Sequence, residues 1–452
     1  MTTTAAGDAA VARLNKATEA FEKIITGASN QVVDVPGYGN QPTLAGRVDQ
    51  RLDETTATSA AEANRSRDEA DRATTQANAA ANSVTQATAE YNKAKTQADR
   101  AQSEADRAAA AANATAEAGT GSLMRVGGAT ILDAERYALE RATGGRQTII
   151  RDSAGNANAM FVLPRFSYAD LGMTADMGTG DVTAFDVGTG SIKGEIFIGA
   201  YLASGSGAVS APRQDPRASL DHTAARAACA AKGAGWHLMT VHEWAAIALW
   251  CVANGYEPLG NTNWGRSHAK TWLAGGRADG RAPGDAAGIG RTKTGSMGAE
   301  ATHDRTLGGI ADLVGNVWEW QDGLLLQGGQ IKASTHNTQP EANWALQAAF
   351  FDAPSSAPVL SNAITRAASV SAEWKSVTKS ASYVSNPLLK RLLIEPASAL
   401  PSGRIYTNNE GERLPYRGGA WSSGAGAGLA ALSLSSSRAV TDASIGFRPA
   451  FA

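Results

Sequence analysis

The sequence predicts a multidomain protein: an N-terminal helix, an Ala-rich helical coiled-coil stem, a small β-rich connector and a C-terminal α+β head. Three observations carry this reading. A seven-residue period runs unbroken through an Ala-rich stretch. Further on, two capped helix signatures stand among short strand-like runs and Gly-rich turns. The chain has 452 residues, 43% of them hydrophobic, which exceeds one ordinary domain and supplies enough apolar material for a core. The expected segments are 1–50 for an N-terminal segment, 51–119 for the stem, 120–190 for the connector and 191–452 for the head.

Asp8 to Gly27 reads as an amphipathic helix. Asp8 caps it, Val11, Leu14, Phe21 and Ile24 share a face, and Gly27 follows the last turn. A strand-like run, QVVDV, and Pro/Gly punctuation come next. The stretch VPGYGNQPTLAGRVDQRL resembles the proximal end of bacteriophage tail-fibre proteins. That resemblance implies that the N-terminus joins the chain to phage tail or baseplate proteins.

Residues 55–118 contain neither glycine nor proline. Ala70, Ala77, Val84, Tyr91, Ala98, Ala105 and Ala112 recur every seven residues. Ala73, Ala80, Ala87, Ala94, Ala101, Ala108 and Thr115 recur three residues later. This is an a/d seam on a helix of ~95 Å. Eleven of its fourteen positions are alanine. A buried methyl contributes about 0.8 kcal/mol. Fixing one residue's backbone costs about 1–2 kcal/mol. The stem is therefore expected to need an oligomer enforced by the units at its ends. The seam does not separate two strands from three; the expectation adopted is a homotrimer.

Gly119 to Gly121 should end the stem. GGRQTIIRDSAGNANAMFVLPRFSY reads as strand, turn, strand. DHTAARAACAAKG reads as a helix with Asp221 as N-cap. MTVHEWAAIALWCVANG reads as a second helix, with a Thr240/Glu243 capping box and Asn254-Gly255 at its end. Further helices are expected around 341–350 and 386–394. In the last segment Leu432 and Leu434 alternate with Ser433 and Ser435, the period of a half-buried strand.

Several function classes are disfavoured. The 41 basic and 43 acidic groups nearly balance, and no basic block gathers, so a nucleic-acid partner is not expected. The longest apolar run, Trp244 to Ala253, falls well short of the ~20 residues of a membrane span. The start, MTTTAAGDAAVARL, shows no secretory signal pattern. Cys229 and Cys251 sit in apolar helical sequence and read as buried small hydrophobes. His242-Glu243 begins like a zinc-protease helix, but residue 246 is alanine where the second ligand is needed. There is no P-loop and no Gly-x-Ser-x-Gly elbow. Acidic residues in loops, such as Asp304 and Asp312, show no spacing that marks a glycosidase dyad.

The informative motifs are LGGIADLVGNVWEWQDG (307–323) and the closing stretch from Arg417 to Phe451. In a strand Trp318 and Trp320 face one side and Glu319 the other. A carboxylate so placed needs a cation or donors, and Arg417, Arg438 and Arg448 are the candidates.

With these residues in view, GWHLMTVHEW, DLVGNVWEW, RGGAW and GFRPAF, in this order, resemble the formylglycine-generating-enzyme variety of the C-type lectin fold. Within it the likeness is to the variable proteins of diversity-generating retroelements, including phage receptor-binding proteins. The resemblance covers roughly 191–452. It implies a C-type-lectin-like head that binds a host cell-surface receptor (protein, pilus or glycan) through residues interleaved among fixed anchors. Trp421, Gly428, Leu432, Leu434, Arg438, Ile445, Gly446, Phe447 and Arg448 match the scaffold. The receptor-binding positions so implied are Trp421, Ser422, Ser423, Ala425, Ala430, Ser433, Ser435, Ser436, Val440, Asp442 and Ser444, with Gly426 beside them.

Two departures matter. No asparagine occurs from 417 to 452, although diversification enriches it. No cysteine lies beyond Cys251, which disfavours formylglycine-generating activity, and with no catalytic motif legible elsewhere the chain is not expected to be an enzyme. No cofactor is required. Some members bind calcium, which here would involve the carbonyls of Val314, Gly315 and Val317 and the Glu319 carboxylate. The expected function is that of a phage tail-fibre, receptor-binding protein located in the virion and made in the host cytoplasm. The alternatives are an enzyme on the same scaffold acting on surface polysaccharide, and a bacterial surface adhesin.

Overall fold

In a computed structural model, residues 5–28, 30–117, 124–126, 129–131, 133–188, 190–396 and 401–452 are described; within these, 5, 94 and 96–131 are described by backbone alone. The chain divides into two compact units, Met1–Gly119 and Thr120–Ala452.

The first unit opens with helix α1 (Ala5–Thr26), which begins one turn before Asp8. It stops at Gly27, where a Cβ would stand 2.5 Å from the Lys23 carbonyl oxygen. Strands β1 (Val32–Val35) and β2 (Gly39–Pro42) form an antiparallel hairpin. Ala20 of α1 and Val33 of β1 are the buried apolar contacts. Thr43 caps the next helix: its hydroxyl accepts from Gly46 N–H at 3.1 Å and donates to the Ala28 carbonyl at 2.9 Å. That helix, α2 (Leu44–Glu117), has 74 residues and is about 110 Å long at 1.5 Å per residue. The expected boundary between 50 and 51 therefore falls inside a helix. LAGRVDQRL continues into the heptad sequence without a breaker, so attachment segment and stem form one unit. Val84 and Tyr91, two seam positions, are 65% and 66% exposed. Gly119–Gly121 lies outside the described residues, as do the seam side chains at 94 and beyond.

The second unit starts with the hairpin β3 (Met124–Val126) and β4 (Ala129–Ile131). Helix α3 (Ala134–Thr143) follows, capped by Asp133, which accepts from Arg136 N–H. Strands β5 (Gln147–Arg151) and β6 (Ala157–Pro164) pair antiparallel across the expected Ser-Ala-Gly-Asn turn. Then come α4 (Thr174–Met177), β7 (Glu195–Gly199), the short pair β8 (Ala203–Ser204) and β9 (Val209–Ser210), α5 (His222–Ala230), β10 (Trp236–Leu238) and α6 (Val241–Ala253). Both expected caps are present. Asp221 accepts from Ala224 N–H at 2.7 Å, and Thr240 and Glu243 form the reciprocal capping box. Cys229 and Cys251 are buried free thiols, each pushed up to about 12 by burial.

A loop-rich stretch leads to β11 (Trp318–Trp320), β12 (Leu324–Gln327), β13 (Gln330–Ala333), β14 (Ala345–Asp352), β15 (Val359–Ser361), β16 (Ser369–Glu373), β17 (Thr378–Lys379) and α7 (Pro387–Arg391). The chain closes with β18 (Arg404–Asn408), β19 (Glu412–Gly418), β20 (Gly428–Ser436), β21 (Ile445–Phe447) and β22 (Pro449–Phe451). The 386–394 helix is there as α7. The 341–350 helix is not: after one turn of 3-10 helix the chain runs as β14, paired with β13 and β15. Its alanines favour helix locally, but the sheet buries Ala349 and Phe351 instead.

Two sheets organise this unit. A five-stranded sheet has the order β10-β22-β7-β6-β5, and a larger one runs β16-β18-β20-β19-β12-β13-β14-β15-β17, with β11 pairing β19 and β21. The expected connector is thus no separate domain. Its β6 pairs with β7 along Met160–Pro164, so residues 147–164 build the same sheet as the chain's last strand. Helix α6 is buried along most of its length among Phe161, Ile196 and Ile198 of the smaller sheet and Leu429 of β20. Among the described residues no helix is long and apolar enough to cross a membrane.

Candidate receptor-binding surface

Glu319 and Arg448 set the frame. Arg448 Nε and Nη2 each donate to a Glu319 carboxylate oxygen at 2.8 Å, and both side chains are out of solvent. The guanidinium also donates to the carbonyls of Gly199 and Ala311, each at 2.8 Å. Arg448 sits between β21, alongside Glu319's strand, and β22, in the smaller sheet. One side chain therefore ties the two sheets together. Burial pushes Glu319 above the ordinary carboxylate range, and Arg448 opposes that shift.

The two other arginines do different work. Arg417 lies directly across from Glu319 in the strand register, yet its Nη2 donates to the carbonyls of Leu392 and Leu393 after α7. Its Nε and Nη1 have no partner among the described residues, and burial lowers it to about 9. Arg438 clamps Glu341 and Glu412. Burial pushes Glu341 up, but Arg438 and Arg226 more than offset this and hold it below the usual range. The clamp fixes the loop that follows β20.

Two of the four expected calcium donors, the Glu319 carboxylate and the Val314 carbonyl, are already taken up by the fold. Both Glu319 oxygens are engaged by Arg448, whose guanidinium stands where the ion's charge would be needed. The Val314 carbonyl points at Gly260, where a Cβ would come within 1.6 Å of its oxygen. Gly315 beside it has φ 74°. Among the described residues no cluster of His, Cys, Asp or Glu could hold a metal ion.

The positions implied for receptor binding divide into two groups. Ser422, Ala425 and Asp442 are exposed, and Ser423, Gly426, Ser435, Ser436, Val440 and Ser444 are half-buried. Trp421, Ala430 and Ser433 are buried, which removes them from the displayed set. Trp421 packs on Trp264 and under Gly290, where a Cβ would stand 2.4 Å from its Cδ1. Ala430 is on the core face of β20 with Leu432 and Leu434. Ser433 does alternate with them, but it lies between Tyr406 of β18 and Tyr416 of β19, directly opposite in register. Its hydroxyl bonds to that of Ser435 at 2.9 Å. At about 3.3 Å per residue, β20 also sets its two ends ~26 Å apart. Ala425 accordingly borders one cleft, of 610 Å³, with His268 and Lys270, while Ser435 borders another, of 580 Å³.

Around Ser435 the sheet presents side chains that sequence reasoning missed. Trp318 is half-buried and meets Tyr406 and Tyr416 edge-on, with ring centroids 6.0 and 5.1 Å apart. The Arg404 guanidinium lies 5.8 Å from the Tyr406 centroid, and its Nε and Nη2 donate to the Ser371 hydroxyl at 3.2 and 3.0 Å. Close backbone approach makes this face possible. Cβ atoms at Gly403 and Gly428 would stand 2.2 Å from Ala431 N and 2.0 Å from the Ser402 carbonyl oxygen, so only glycine lets β18 run beside β20. Strand β18 carried no motif. The local signal that could have raised it is the alternation of Arg404, Tyr406 and Asn408.

No family model matches the chain, and no curated protein matches it. Among solved structures the chain is similar to one titled Major Tropism Determinant U1 Variant, with a TM-score of 0.26 and 12% identity over 68% of this chain and 71% of that one.

On this surface an aromatic ledge, an arginine and several hydroxyls face outward over a rigid sheet. Such a set binds by stacking and hydrogen bonding.

Proposed function

We propose that the protein is a phage tail-fibre, receptor-binding protein that attaches the virion to the host cell surface through its C-terminal head. The observation that carries this is the outward face of β16, β18 and β20, where Arg404, Tyr406 and Ser435 lie together and Trp318 of β11 packs against Tyr406, on a buried, ion-paired scaffold. The order of the motifs GWHLMTVHEW, DLVGNVWEW, RGGAW and GFRPAF supports a lectin-like head. The first unit then serves as the virion-proximal spacer, a homotrimeric coiled coil. Val84 and Tyr91 on α2 and Val11, Leu14 and Phe21 on α1 are more than half exposed in the single chain. Packing against further copies of the chain covers such apolar faces. Several heads on one stem turn weak contacts into avidity gains of ~10²–10⁴.

The test uses the full chain. Its mass in solution should be three times that of one chain, and it should decorate host cells and block phage adsorption. A monomer that leaves adsorption unchanged refutes the reading.

A further inference from the structure

The cleft beside β16 has a chemistry of its own. Its 580 Å³ are lined by Arg366, Tyr406 and the hydroxyls of Ser355, Ser369, Ser371 and Ser435. Among the described residues no carboxylate lines it. Glu373 stands opposite Arg404 in the strand pair and is taken by Lys375 at 2.9 Å.

The cleft is built in advance. Buried Asp352 accepts from the backbone N–H groups of Ala353, Thr365 and Arg366 and from the Thr365 hydroxyl, which fixes the loop that carries Arg366. Arg366 Nη1 donates to the carbonyls of Ala353 and Ser355 at 3.3 and 3.2 Å. That anchors one corner of the guanidinium and leaves the Nε–Nη2 edge without a hydrogen-bond partner among the described residues. Such an edge matches two oxygens of a planar anion. Arg404, held by Ser371, adds a second positive charge at the border.

Hydroxyls in this density, with one ring and two arginines, suit a ligand rich in hydroxyls that also carries negative charge. We infer that this cleft binds an anionic saccharide, as presented by acidic cell-surface polysaccharides. The inference rests on the proposed receptor-binding role and names the ligand class of that face. The Arg366 edge pairs with the acid group, Tyr406 packs on the sugar ring, and the serines exchange hydrogen bonds with ring hydroxyls. An acidic peptide lacks the hydroxyls that would satisfy this lining.

The experiment is direct binding of the full chain to oligosaccharides of polygalacturonate, hyaluronan and dextran sulfate, with neutral dextran alongside. Binding to at least one anionic oligosaccharide is expected, with dextran at least about tenfold weaker. Arg366→Gln and Tyr406→Ala should each weaken binding by about tenfold or more in protein that circular dichroism shows to be still folded at the assay temperature. Carboxylated ligands alone, or dextran sulfate alone, would assign the acid group to carboxylate or sulfate. Equal binding of dextran, binding that ignores both variants, or binding to none of the four overturns the inference. If the chain still decorates host cells in that case, the receptor-binding role stands and only the ligand class fails. If it decorates no cells, the role itself fails.

Discussion

Replacing Arg448 by methionine removes the cation that ties the two sheets and keeps much of its volume. Glu319 is then left as a buried carboxylate without a partner, and the carbonyls of Gly199 and Ala311 lose their donor. Breaking a buried ion pair from one side costs about 3–5 kcal/mol. Each orphaned carbonyl adds about 1 kcal/mol or more. A total of about 5–7 kcal/mol compares with a whole-domain stability of about 5–15 kcal/mol, so the head should be close to its unfolding threshold. All ten tryptophans lie in the second unit, so tryptophan fluorescence in urea reports that unit alone. Glu319→Leu combined with Arg448→Met removes both charges and should recover at least about 2 kcal/mol of the loss. A single variant that costs under about 1 kcal/mol, or a double variant whose loss equals the sum of its parts, would show that the pair is not the tie between the sheets.

Ser433→Lys should unfold or strongly destabilise the head, because Tyr406 and Tyr416 leave no exit for an ammonium, whereas Ser435→Lys should keep the unfolding midpoint and weaken host-cell binding. Equal effects on folding would refute the division. Burial lowers His242 to about 4, and its ring is held by the hydroxyls of Thr183 and Ser334. The stability it contributes is present above its unfolded value near 6.5 and is lost as pH falls through 4. Urea midpoints should therefore show His242→Asn losing part of its disadvantage by about pH 5, where the neutral ring already costs about 2 kcal/mol. Asp312 behaves oppositely: burial raises it from 3.8 to about 6, and its Oδ1 has no partner among the described residues. Its contribution is present below 3.8 and lost as pH rises through 6, so Asp312→Asn should stabilise by about 1–3 kcal/mol at neutral pH and by nothing near pH 4.

Local signals were the most legible. The caps at Asp221 and Thr240 and the turn between β5 and β6 each depend on neighbours within a few residues, and all three formed as read. That Glu319 needs an arginine followed from its place between two tryptophans. Which arginine answers it did not, because Arg448 is 129 residues away and Arg417 is the nearer strand neighbour. The connector was misjudged for a similar reason. Nothing local in β6 reveals that it pairs with β7 and so with the last strand.

The sequence by itself determined the long helix with its heptad seam, the capped helices, and a closing segment whose Leu432 and Leu434 turn inward. Period, caps and breakers act within one or two turns, so the chain states them locally. Only the tertiary structure decided what lies outside. The two tyrosines that bury Ser433 come from β18 and β19, and the cleft beside Ser435 takes Arg366 and Ser371 from segments far along the chain. A surface is what remains after long-range pairing has covered everything else, and that remainder is not written in any one stretch of sequence.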